Sequence, residues 1–121
     1  MTEKPTDDWG NEPAIDRQKV IELNDCLRQN FEGGQIMITH GIAKLSNETR
    51  IKIFQAIQNF DEFNPDNDPY GEHDLGSVRV DDHSVFWKID YYDQQLNGHS
   101  PAKDDPNVTR RVMTVMLAEE Y

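Results

Sequence analysis

The chain is poor in cysteine: Cys26 stands alone among 121 residues. A lone thiol forms no internal disulfide, so burial rather than covalent staples must hold the fold, and a reducing compartment suits it. Cys26 sits within a helical pattern with no His nearby, which reads as a structural thiol rather than a nucleophile. Long apolar runs are missing too. None approaches the roughly 18 residues that span a bilayer, and the opening MTEKPTDDWGNEP lacks the basic-then-apolar order of a signal peptide. The expectation is a cytoplasmic protein with no membrane partner. Familiar catalytic spacings are also absent: no HxxxH pair, no paired-Cys motif, no Gly-rich phosphate loop ending in Lys and Ser or Thr, and no GxSxG elbow. A nuclease pattern with an acid two residues before a lysine is not served either, because Phe86 holds that place before Lys88.

Positive charge is scarce. Twelve Lys and Arg stand against 23 Asp and Glu, a net charge of −11, and the deficit is concentrated. Residues 17–60 hold six bases against four acids, whereas residues 61–93 hold two bases, Arg79 and Lys88, against ten acids. Such a field repels phosphate backbones and argues against direct nucleic-acid binding. Basic protein surfaces and divalent cations are the partners it favours.

What is present suits one small domain, since a chain of this length buries a single core. Residues 1–14 mix charge with Pro5, Gly10 and Pro13 and read as a disordered acidic tail whose one large apolar group is Trp9. Residues 15–121 read as a single α+β domain. Val20, Leu23, Leu27 and Phe31 recur at helical spacing up to the stop at Gly33 and Gly34. QIMIT supplies a short strand. Ser46 or Asn47 caps a second helix with Ile53, Phe54, Ile57 and Phe60 inward. The turn-rich FNPDNDPYG ends it, and LGSVRV and SVFWKIDYY form a hairpin about DDH. Asp105 and Pro106 then read as the start of a last helix with Val108, Val112, Val115 and Met116 inward. The predicted fold is a small three-stranded, mainly antiparallel sheet with three helices packed on one face.

Pairing Val80 with Val85 keeps the apolar side chains of the hairpin together. Val78, Val80, Val85, Trp87, Ile89 and Tyr91 then face the helices. His73, Leu75, Ser77 and Arg79 share the other face with Phe86, Lys88, Asp90 and Tyr92. This register sets His73 beside Tyr92 and diagonal to Asp90, where a carboxylate can orient an imidazole for proton transfer with Lys88 nearby. Asp68, Glu72, His73 and Asp90 could alternatively hold a divalent cation, and no other cofactor is called for. The bland reading is a set of cross-strand ion pairs among Asp74, Arg79, Lys88 and Asp90. A binding surface would draw on Asp61, Glu62, Asp66, Asp68, Tyr70, Asp74, Tyr92 and Asp93. His40 and His99 read as loop residues, and His83 as part of the turn.

NDPYGEHDLG at 67–76, FWKIDYYD at 86–93, the LND of residues 23–25, Thr39 to Gly41 and the closing TRRVMTVMLAEEY together resemble an uncharacterised bacterial family, the domain of unknown function 3768. The resemblance spans about residues 15–121. Leu75 replaces the usual Phe, and Met113 and Val115 are apolar exchanges in the last segment. It implies small proteobacterial proteins, often carried on plasmids and other mobile elements near antirestriction genes, and it marks Asn67, Asp68, Tyr70, Glu72, His73, Asp74, Trp87, Lys88, Asp90, Tyr91, Tyr92 and Asp93 as used without saying for what. Two classes follow. One is an acidic interaction protein, an anti-defence inhibitor that mimics DNA charge against a restriction or CRISPR effector with a basic surface. The other is a small metal-dependent or acid/base enzyme built on GEHD and WKIDYYD.

Overall fold

The computed structural model describes residues 14–121. The expected acidic tail, with Trp9, lies outside the described residues except for Ala14. Helix α1 (Arg17–Asn30) begins where the Asp16 carboxylate accepts the Lys19 N–H at 3.1 Å, and helix α3 (Asn47–Gln58) where Ser46 Oγ accepts the Thr49 N–H at 3.1 Å. Between them lie strand β1 (Gln35–Ile38) and a single helical turn, α2 (His40–Ala43). Strands β2 (Leu75–Val80), β3 (His83–Tyr92) and β4 (Arg110–Leu117) follow, and a short 3-10 turn closes the chain at Ala118–Glu120. No described helix is long and apolar enough to cross a membrane.

The sheet is four-stranded and mixed, in the order β1-β4-β3-β2, with β1 parallel to β4 and the other pairs antiparallel. This corrects the three-stranded expectation. The segment read as a last helix is a central strand: Val112, Met113, Val115 and Met116 are all buried, so both faces are apolar. A strand covered on both sides shows no clean alternation, and its Val and Met positions mimic helical spacing. Asp105 caps no helix; its carboxylate accepts the Asn107 N–H at 2.9 Å in a turn.

The hairpin register is two residues tighter than predicted. Val80 pairs with His83 and Val78 with Val85, leaving Asp81 and Asp82 as a two-residue turn with φ of 48° and 68°. Two successive positive φ values match the twist of the strands, and Asp tolerates them. Lys52 and Thr49 of α3 hold the Asp81 carboxylate at 3.3 and 3.1 Å. A slip of two preserves the side-chain faces, so Trp87 is fully buried with Val85 and Ile89 while the Lys88 side chain stays 41% exposed. Trp87 shares one hydrophobic core with Ile53 and Ile57 of α3, Leu27 of α1 and Ile42 of α2. Its indole crosses Gly76, where a Cβ would lie 2.6 Å from the ring, so only glycine fits.

Candidate functional site

The acidic loop joining α3 to β2 is built by its own side chains. The Asn64 amide oxygen accepts the Asp66 and Asn67 N–H groups at 2.9 and 3.1 Å, and Asn67 returns the bond to the Asn64 N–H at 3.0 Å. The Asp68 carboxylate is buried and takes the Glu72 and His73 N–H groups at 3.0 and 3.2 Å. Gly71 and His73 turn the chain with φ of 65° and 57°. This bracing leaves Asp61, Glu62 and Asp66 exposed, and Tyr70 of the same loop is 69% exposed.

Beneath the loop lies a buried polar network centred on Asn24 of α1, which is fully buried. Its amide donates to the Glu72 carbonyl at 2.9 Å and to the Tyr91 hydroxyl at 2.8 Å, while its oxygen accepts from Arg111 Nε at 2.7 Å. Tyr91 in turn donates to Asp74 at 3.3 Å. The Glu72 carboxylate is buried against Lys103 Nζ at 2.7 Å, and Arg17 stands 3.8 Å away. Lys103 and Arg111 both lie over the Tyr91 ring, at 5.3 and 5.2 Å. Burial, then the charge of Glu72, raises the Asp74 carboxyl above its usual range. Burial and the nearby Asp74 push the Tyr91 phenol far up, and burial lowers the Arg111 guanidinium.

A second cluster flanks the first. His73 Nδ1 lies 2.9 Å from Asp25, whose carboxylate also pairs with Arg28 at 3.0 Å, and the imidazole stacks on Phe63 at 3.9 Å. Arg28 is buried and donates to the Ile57 and Phe60 carbonyls at 3.1 and 2.7 Å, closing the C-terminal end of α3. Its guanidinium lies over the Phe63 and Trp87 rings.

The grouping predicted from sequence is therefore rearranged. His73 lies beside Asp25, on the helical side, and not beside Tyr92 or Asp90; its positive φ takes it out of the strand. Asp90 pairs with Lys88 at 3.3 Å on the helix-free face, an ion pair within β3 rather than the cross-strand one expected. Asp68, Glu72, His73 and Asp90 do not come together, and among the described residues no group of three or more His, Cys, Asp or Glu could hold a metal ion. Asp68 faces inward, Asp74, Tyr92 and Asp93 are half-buried, and the Asp93 carboxylate accepts the Asn97 N–H at 2.9 Å. Sequence reasoning missed Asn24, Asp25, Arg28, Lys103 and Arg111. Asn24 left a readable signal, since it falls between Val20 and Leu27 on the buried stripe of α1.

These features define a small α+β protein whose mixed sheet and buried polar network carry a braced acidic loop. The chain belongs to the family described as Protein of unknown function (DUF3768), whose model matches residues 38–120. The match takes in the loop and strands β2 to β4 and begins after α1, so Asn24, Asp25 and Arg28 contribute from outside it. No curated protein and no solved structure matches the chain.

Proposed function

We propose that the chain is an acidic interaction protein that binds a basic protein surface through the loop carrying Asp61, Glu62, Asp66 and Tyr70. The observation that carries this reading is the division of labour within the loop. Asp68 and Glu72 are committed to internal partners, whereas Asp61, Glu62 and Asp66 remain exposed on a backbone braced by Asn64 and Asn67. A braced loop loses little conformational entropy on binding, and the exposed Tyr70 adds apolar area on the same acidic loop. A Lys- and Arg-rich surface, such as the nucleic-acid groove of a restriction or CRISPR effector, has the chemistry to receive it. A mobile-element anti-defence role is consistent with such a partner.

The test is calorimetric titration against purified effectors of these kinds, with Asp61→Asn, Glu62→Gln and Asp66→Asn made singly and together. Each exposed charge should change affinity by about 2- to 5-fold, cumulatively, and binding should weaken as salt rises. Affinity indifferent to salt and to the triple variant would sink this reading.

One observation favours a second reading, an acid/base enzyme. His73 Nδ1 lies 2.9 Å from the Asp25 carboxylate, and in the tautomer that donates this hydrogen bond Nε2 is left as the acceptor. Diethylpyrocarbonate should then modify His73 at Nε2 faster than His40, His83 or His99, as followed by mass spectrometry, and Asp25→Asn should slow it. An unreactive His73 would remove the base.

A further inference from the structure

The two edges of the sheet are treated differently. The β2 edge is guarded by Arg79 and flanked by Asp61 and Glu62, charges of the kind that keep an edge strand from pairing with another chain. The β1 edge, Gln-Ile-Met-Ile, carries no charge and no proline. Its backbone is aligned for pairing: the Thr39 N–H donates to Val115 of β4 at 3.1 Å, so by alternation the N–H and C=O groups of Ile36 and Ile38 point to the free side. Exposed apolar side chains gather at the same edge, with Phe31 40%, Met37 51%, Ile38 41% and Ile51 58% exposed. Phe31, Ile38 and Ile51 border a groove between β1 and α3, and Met37 lies outside its lining.

We propose that this edge is the contact between two copies of the chain, which pair β1 with β1 in antiparallel fashion and join their sheets into one of eight strands. Charge selects the occupant. The net charge of −11 is concentrated in residues 61–93, where two copies would repel, whereas the groove lies in the stretch of six bases and four acids, and among the described residues no carboxylate lines it. Among the described residues its one charged side chain is Arg50, tied to the Ala43 carbonyl and to Asn47, and its rim carries the amides of Gln55 and Gln58. An edge of this kind complements itself. A two-fold axis beside Met37 pairs Ile36 of one copy with Ile38 of the other, twice, so all the outward N–H and C=O groups of both residues find partners. Ile38 and Ile51 of each copy then cover one another's grooves, and the acidic loops stay on the far edges, free to bind.

Sedimentation of the full chain over a wide concentration range tests this. The expected result is a reversible monomer–dimer equilibrium. Ile38→Lys and Ile51→Lys, both at solvent-exposed positions, should each weaken it by about 100-fold with unchanged melting temperature of the monomer, whereas Leu96→Lys outside the groove should not. Amide exchange gives an arm that needs no variant: the Ile36 and Ile38 N–H groups should become protected as concentration rises. A chain that remains monomeric throughout, a dimer indifferent to both lysines, or Ile36 and Ile38 amides that exchange freely in the dimer would overturn the proposal.

Discussion

Arg28→Ala should lower stability by about 3–5 kcal/mol, the loss typical when one member of a buried, hydrogen-bonded charged group is removed. The side chain is 1% exposed and does three things at once. It satisfies the carbonyls of Ile57 and Phe60 at the end of α3, pairs with Asp25, and fills the space over Trp87 and Phe63. Alanine leaves the carbonyls without a donor and opens a cavity against the largest core side chain. Asp25→Asn, at a partly exposed carboxylate that keeps a hydrogen-bonding oxygen, should cost well under half as much. Urea unfolding of both variants at neutral pH provides the measurement. An Arg28→Ala loss below about 1 kcal/mol would mean that water replaces the guanidinium without penalty, contrary to its burial.

Asn24→Leu should be comparably severe, again about 3–5 kcal/mol, because one substitution leaves Arg111 Nε and the Glu72 carbonyl without partners and leaves the Tyr91 hydroxyl with Asp74 alone. Arg111 Nε loses its acceptor, and the Glu72 carbonyl and the Tyr91 hydroxyl lose their donor. Leucine supplies similar volume, so the effect reports lost hydrogen bonds rather than a cavity. The Asn24 side chain links α1 to both the acidic loop and β3, so the variant should also loosen the loop before the domain unfolds. The measurement is thermal melting followed with amide exchange of Glu72 and His73, whose N–H groups rest on Asp68. A variant that melts like the parent with those amides still protected would show that Asn24 is not the link.

Helices α1 and α3, the hairpin and the sheet face that takes Trp87 were legible in the sequence because each rests on local rules. Helical spacing, the Ser46 cap and the alternation through SVFWKIDYY all act within a few residues. The strand β4 was not legible. Its apolar residues are buried on both faces of the sheet, and nothing within the segment distinguishes a central strand from a buried helix. Hairpin register was right in face and wrong by two positions, because alternation constrains parity alone while the positive-φ turn at Asp81 and Asp82 sets the offset.

The site divides along the same line. Composition alone determined that residues 61–93 carry the acidity, and turn chemistry determined that Asn64 to Gly71 is a corner. Which acids face outward was decided by tertiary structure, through residues distant in the chain. Asn24 and Asp25, from a helix some 48 positions before the loop, receive Glu72 and His73, and Lys103 and Arg111 close the network from the far side. A carboxylate's role depends on which donor it meets in space. Sequence distance carries no record of that meeting, so the acidic character was readable in advance, and the separation of buried from exposed acids required the fold.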